Sequence, residues 1–329
     1  MSEHGPVQLE LIDAPARFYE FQTEWERFVR SATSATPFQT PEWLLTWWAH
    51  FGSGRPQVFV FRADGETVGV APCFLHDWNG RRQLTLIGSG ITDYLDPLLD
   101  HRWSAAIVEA LGDHLTKRAE WDICDWQDLS SGSPLRGLGL AREDTPCSRI
   151  RLAASFDQFL AARPKDLRRN LRRCQLKARG LGDLRFDVSR TADPELLTAL
   201  IDLHRERWQM TGESGMIEAN RAAGFLRAAA EALADSGMLR IFTLWLNQRI
   251  ASIILAFPNG TTIFAYLSGF DPYFERLELG HELVAQALRY AHSQQYCWWD
   301  FLRGEEQYKL DWGAERIPKS RVIIDRRAV

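Results

Sequence analysis

The chain lacks the cysteine pattern of a cross-linked or zinc-bound protein. Its five cysteines, Cys73, Cys124, Cys147, Cys174 and Cys297, are scattered, odd in number and never in a CxxC pair. That argues against a disulfide scaffold and a structural zinc site, and leaves free thiols in a reducing cytoplasm as the expectation. No apolar run approaches the roughly 18 residues that would span a bilayer, so no membrane span is expected. Met1 to Glu10 has neither the basic flank nor the apolar stretch of a secretory leader, and a cytoplasmic location is expected. HExxH, Walker and GxGxxG patterns are missing and the histidines have no metal-ligand spacing, so no metal is expected; a DNA partner is not expected either.

What is present is ordinary globular material in a quantity that exceeds one core. With 329 residues, 45% of them hydrophobic, two domains are expected. Charge divides unevenly: residues 1–150 carry 13 Lys/Arg against 21 Asp/Glu, while residues 151–329 carry 26 against 22. A mildly basic back half favours anionic ligands, although solvated faces produce the same asymmetry. The stretch Ser130-Ser131-Gly132-Ser133-Pro134 has linker composition, dividing the chain into domains 1–130 and 131–329.

Each half reads as helices, antiparallel strands, a helix and a strand. In the first, Phe18–Arg30 has helical spacing and Thr40-Pro41 opens a second helix as an N-cap followed by proline. Strands at Gln57–Arg62 and Thr67–Leu75 flank the turn residues Asp64-Gly65, and another apolar run, Leu84–Ile87, precedes a helix at Trp103–Arg118. In the second, residues 155–180 are helical with a break near Pro164, followed by helices at 194–210 and 220–235. Strands at Leu239–Leu246, Ile250–Phe257 and Thr261–Ser268 form an expected meander, then a helix at Leu279–Gln294, a strand at Cys297–Leu302 and a helical turn at Glu305–Trp312. The fold class that follows is α/β (α+β), each half a mixed, mainly antiparallel sheet flanked by helices.

The chemistry-bearing residues concentrate between Ile263 and Gly313. A strand ending in Leu267-Ser268-Gly269 leads to a helix beginning near Gly280, and a helix N-terminus suits a pyrophosphate. Arg276 just upstream is placed to clamp a phosphate; an exposed loop arginine and a glycine that merely lets the helix start is the equal alternative. After the strand Trp298–Leu302, Tyr308 could return a proton to a departing thiolate, and Lys309 could offset charge on an oxyanion. The alternative is that Tyr308 packs in the core and Lys309 is solvated. Asp300 is either a base or the partner that orients Arg303.

The run Asp300-Phe301-Leu302-Arg303-Gly304-Glu305, continuing Tyr308-Lys309-Leu310-Asp311-Trp312-Gly313, resembles the signature of the CelD-like (BioF-like) branch of the GNAT acyltransferases. Phe38-Gln39-Thr40-Pro41-Glu42-Trp43, Thr92-Asp93-Tyr94-Leu95-Asp96-Pro97 and the basic segment Leu167–Arg173 extend the resemblance over nearly the whole chain. It implies two tandem GNAT-like domains, an architecture related to Fem-type transferases, with acyl-CoA gripped where two neighbouring strands splay. On that basis Leu267 and Gly269 would meet the pantetheine arm, and Arg276, Gly280 and His281 the pyrophosphate. The loop Arg276-Leu277-Glu278-Leu279-Gly280-His281-Glu282 departs from the superfamily pattern by one extra residue before the glycine and by lacking a second glycine.

Two further groups complete the expected site. The basic helix 163–180 is a candidate seat for a CoA phosphate, an acidic acceptor, a carrier-protein helix or tRNA, or a solvated face. Asp93 is placed to hold or deprotonate an acceptor amine, with Tyr94, Trp208 and Arg303 as acceptor-side contacts; turn acids and core aromatics are the alternatives. His204, alone on a helix face, reads as a satisfied partly buried residue. The expected activity is transfer of an acyl group, acetyl above all, from acyl-CoA to a primary amine on a small molecule, amino sugar or peptide. The chemistry is expected in the C-terminal domain, with the N-terminal domain a scaffold and an acyl carrier protein a conceivable donor. The alternatives are an aminoacyl-tRNA-dependent transferase of the Fem type and a non-catalytic binding protein with a degenerate GNAT core. The resemblance also associates the chain with polysaccharide biosynthesis.

Overall fold

Tight turns and helix caps set the order of elements. Asp64 and Gly65 both take positive φ (52° and 82°), the geometry that closes a two-residue hairpin with the twist its strands require. Thr40 caps the helix that follows it by accepting from the Trp43 N–H at 3.4 Å, with Pro41 in the first turn. The computed structural model describes residues 6–32, 35–118, 120–211 and 220–327, with the side chains of 207–211 outside the described set. These form two units, Met1–Thr145 with Pro318–Val329, and Pro146–Ile317.

The first unit contains β1 (Gln8–Ile12), α1 (Pro15–Glu20), α2 (Gln22–Ser31), α3 (Pro41–Phe51), β2 (Arg55–Ala63), β3 (Glu66–Trp78), β4 (Arg81–Leu86), the short β5 (Leu98–Leu99), α4 (Ser104–Lys117) and β6 (Ile123–Ser130). β1, β2, β3 and β4 pair antiparallel in that order, and β4 then pairs parallel with β6. The chain passes to the second unit along β7 (Leu140–Arg151). There follow α5 (Phe156–Ala161), α6 (Lys165–Leu181), β8 (Leu184–Ser189), α7 (Pro194–Thr211), α8 (Asn220–Asp235), β9 (Arg240–Leu246), β10 (Arg249–Asn259), β11 (Thr262–Phe270), α9 (Leu279–Ser293), β12 (Trp298–Arg303), α10 (Gln307–Asp311) and β13 (Glu315–Asp325). Strands β8 to β11 pair antiparallel in sequence, β11 pairs parallel with β12, and β12 pairs antiparallel with β7.

Both units therefore share one plan: an antiparallel meander, a helix, and a strand that returns parallel to the last of the meander. This is the α/β plan expected from the resemblance to two tandem GNAT-like domains. The first unit extends to Thr145, past the Ser/Gly/Pro stretch, and from Pro318 on the last strand returns to it: Lys319–Asp325 pair antiparallel with β6. β1, β7 and β8 were not anticipated. β8 carries a readable alternation, Leu184, Phe186 and Val188 against Arg185 and Asp187, but β7 contains Pro146 and a charged run that hides its strand character.

In the second unit the core forms where α9 lays Leu279, Leu283, Val284, Ala287, Leu288 and Ala291 on the sheet. That spacing is one face of a helix, and burying each large side chain contributes about 1.5–3 kcal/mol. In the first unit the two segments of the expected signature lock together. The Trp43 indole donates to Thr92 Oγ1 at 2.9 Å, the Gln39 amide donates to the Asp96 carbonyl at 2.7 Å, and the Lys319 ammonium, 2% exposed, donates to the Asp93 carbonyl.

Candidate active site

The two neighbouring parallel strands of the second unit part company after three residues. Their ladder runs Thr262↔Trp298, Ile263↔Trp299 and Phe264↔Asp300 and ends there. Two irregularities coincide with the parting. On β11 the register against β10 slips between Leu255 and Ala256, so that Tyr266 is an extra residue in the ladder. On β12 the carboxylate of Asp300, 3% exposed, accepts the Leu302 N–H at 2.7 Å, and Leu302 is held at φ 62°. A left-handed leucine is costly, and it occurs here where the β12–β7 pairing also breaks between Asp300 and Arg303. Asp300 is thus engaged in bending β12 away from β11.

The wedge so opened holds a cavity of about 280 Å³. Ile253, Ala265, Leu267 and Gly269 form its β10–β11 wall, Leu279, Gly280, His281 and Leu283 its α9 wall, and Trp299, Phe301 and Tyr308 the side of β12 and α10. Tyr308 is half-buried and stands edge-on to Phe301, with ring centroids 5.7 Å apart. Glu278 and His281 also line a second, polar groove of about 500 Å³, together with Arg169, Asn170 and Arg173 of α6 and Asp311. The apolar cavity and the polar groove meet at the N-terminus of α9.

Of the expected residues, Leu267, Gly269, Gly280, His281 and Tyr308 are brought together on this cavity, while Asp300, Lys309, Arg276 and Arg303 are not among its lining residues. Lys309, 2% exposed, gives its ammonium to the carbonyls of Leu302 (3.4 Å), Arg303 (2.5 Å) and Gly304 (3.3 Å) and pairs with Glu306 at 2.8 Å. It holds the bend between β12 and α10, because a buried ammonium needs oxygen partners and the chain reversal supplies them. Arg276 is exposed on the helical turn Pro272–Leu277, and Arg303 pairs with Cys147 in the β12–β7 register. Asp93 and Tyr94 lie in the first unit, where Asp93 is 3% exposed and the Lys319 ammonium sits 3.9 Å from the Tyr94 ring centre. Trp208 is on α7, but its side chain lies outside the described residues. His204 is 6% exposed, with Nδ1 3.2 Å from the Ser268 carbonyl oxygen.

The two glycines of the wedge differ in cause. A Cβ on Gly269 would stand 2.8 Å from Leu203 Cβ and 3.2 Å from His204 N, so the close packing of α7 on β11 requires a glycine there. A Cβ on Gly280 would meet nothing within 4 Å, so no protein contact explains the glycine inside α9.

Three residues lie in segments that the sequence singled out, but nothing in the sequence assigned their individual roles. Arg163 reaches the far end of α10, donating from Nη1 to the Trp312 carbonyl at 2.7 Å, and burial lowers its pKa. Glu278 is the N-cap of α9 at φ 50°; the hydrogen bond from Asn170, with Arg173 nearby at 3.5 Å, holds its carboxyl below the usual range. Glu282, 3% exposed, accepts from Gln286 at 2.7 Å and Gln175 at 3.3 Å, yet burial raises its pKa. A raised carboxyl pKa means that its contribution to stability is full below the unfolded value and is lost as pH rises through the folded one. Glu282→Gln keeps an acceptor oxygen and removes the charge. We expect its melting temperature relative to wild type to rise between pH 5 and pH 8, measured by thermal denaturation; an equal difference at both pH values would mean Glu282 does not titrate.

Residues 165–310 match the profile of the acetyltransferase (GNAT) domain. Comparison with curated protein sequences gives no match. Among solved structures, FemX is similar with a TM-score of 0.69 at 13% identity, covering 93% of this chain and 97% of its own. The L-PGS structure from Bacillus licheniformis is similar with a TM-score of 0.60 at 12% identity, over 93% and 92%. A tandem GNAT protein from the clavulanic acid biosynthesis pathway is similar with a TM-score of 0.51 at 13% identity, over 97% and 98%. Identities this low speak to the fold alone, whereas the matched profile covers the wedge, α9 and Tyr308. The match of residues 165–310 to a GNAT domain supports an N-acyltransferase.

Proposed function

We propose that the chain transfers an acyl group, acetyl foremost, from acyl-CoA to a primary amine, with the donor lying in the wedge between β11 and β12. The observation that carries this reading is the cavity itself: apolar, about 280 Å³, with Tyr308 on its wall and a polar groove continuing from it. On this reading the pantetheine arm takes the edge of β11 beyond Phe264, where the ladder with β12 ends, and the phosphates lie in the groove by Arg169, Arg173 and His281. That moves the phosphate contact from Arg276 to α6. The amine, in its neutral form, attacks the thioester carbonyl carbon. Backbone N–H groups on the freed edge of β11 stabilise the oxyanion, the C–S bond breaks, and Tyr308 gives its proton to the departing thiolate. The amine proton leaves through solvent and Tyr308 is reprotonated, so the products are an amide and a thiol. Asp300, Lys309 and Arg163 act as positioning residues for β12 and α10. An amino sugar acceptor, as in the polysaccharide association of the CelD-like branch, belongs to this proposal.

Gly280 provides the test. An alanine there removes the cost of glycine in a helix, about 0.5–1 kcal/mol, with no clash in the protein. We expect Gly280→Ala to raise the melting temperature slightly while weakening CoA binding about tenfold, equivalent to ~1.4 kcal/mol, in a calorimetric titration. Undiminished CoA affinity in that variant would remove the donor phosphates from this end of α9.

One observation favours a second reading. Glu278 sets a carboxylate at the N-terminus of α9, where a diphosphate would meet repulsion and an aminoacyl donor with its ammonium would not. This is the Fem-type, aminoacyl-tRNA-dependent alternative. Absence of any CoA binding, with retention of charged tRNA, would decide for it.

A further inference from the structure

Helix α6 is divided sharply between its two faces. Leu167, Leu171, Cys174 and Ala178 form the buried stripe, each 7% exposed or less. At 100° per residue, the line opposite that stripe runs through Lys165, Arg169, Arg172 and Leu176. Arg173 and Arg179 flank that line, and Lys177 extends the basic surface on one side. Among the described residues only Arg169 and Arg173 of this set pair with acids, Asp166 and Glu278. In the middle of this basic face Leu176 is 73% exposed, and Leu181 at the helix end is 62% exposed.

Basic charge alone would suit any polyanion, but Leu176 would gain nothing against phosphates in water. Against a bilayer, it enters the boundary between headgroups and acyl chains while the surrounding arginines snorkel to lipid phosphates. We propose that α6 is a peripheral docking surface for an anionic lipid bilayer, with Leu176 as its apolar anchor and Lys165, Arg172, Lys177 and Arg179 as its headgroup contacts. Docking by this face brings the groove lined by Arg169 and Arg173 to headgroup level. The proposal is independent of which acyl donor the wedge takes.

The test is co-sedimentation of the full chain with vesicles of phosphatidylcholine alone and of equal parts phosphatidylcholine and phosphatidylglycerol. Wild type should pellet with the mixed vesicles, far less with the neutral ones, and less as salt is raised. Arg172→Glu combined with Lys177→Glu should lower partitioning at least about tenfold, since each basic residue at an anionic surface is worth about fivefold. Leu176→Ser, which changes no charge, should also lower it about tenfold through loss of buried apolar area. All three residues are exposed, and unchanged melting temperatures would confirm that the variants fold. Failure of wild type to pellet with anionic vesicles would overturn the proposal. So would unchanged partitioning of Leu176→Ser, because charge alone would then suffice and a nucleic acid backbone would be the better occupant.

Discussion

Replacing Tyr308 by phenylalanine is expected to lower kcat about a hundredfold or more while leaving donor affinity nearly unchanged. The phenol is the one proton-carrying side chain that α10 contributes to the cavity wall. A positioned general acid is worth about 10²–10⁴-fold, and its effect falls on the transition state in which the leaving sulfur gains charge. The ring is held edge-on to Phe301, a packing that phenylalanine reproduces, so Tyr308→Phe should fold and bind as wild type does. Steady-state kinetics with acetyl-CoA and an accepted amine, with calorimetric donor affinity beside it, make the measurement. Full turnover in the variant would remove Tyr308 from the chemistry. Equal losses in turnover and donor affinity would make it a wall of the donor site and no acid.

Replacing Trp299 by alanine is expected to destabilise the chain by about 3–5 kcal/mol, the usual cost of emptying a large aromatic site. For a unit of this size that is a drop in melting temperature of about 6–20 °C. Trp299 is completely buried on β12, 5.8 Å from the Phe242 ring centre and 6.2 Å from that of Phe301. It also walls the wedge cavity, so its loss merges an empty site with an existing one. Trp299→Phe should cost much less, because the indole N–H it removes is buried without a hydrogen-bond partner among the described residues. Thermal denaturation of both variants is the check. Equal melting temperatures for Trp299→Ala and wild type would mean that the wedge collapses freely and that its width is not set by this side chain.

The elements most legible in the sequence were those with strong periodicity or decisive turns. α9 was readable because its apolar residues recur at helical spacing, and β2–β3 and β9–β11 because Asp64-Gly65 and the Asn-bearing turns join alternating or apolar runs. The return of β13 to the first unit was not readable, since nothing local in Lys319–Asp325 names β6 as its partner. The individual roles within the site were less legible still. Asp300 and Lys309 are the right residue types for acid–base work, but one bends β12 and the other satisfies three carbonyls at the following loop.

By itself the sequence determined most of the α/β elements and the α/β class, and it singled out Ile263–Gly313 as the candidate stretch, because propensity, periodicity and turn residues act over a few neighbours. Only the tertiary structure decided which of the candidate residues face a common cavity. That depends on where β11 and β12 part and on which oxygens a buried charge can reach. Both are set by backbone brought together from distant parts of the chain, as when Arg163 closes on Trp312 and Asn170 on Glu278.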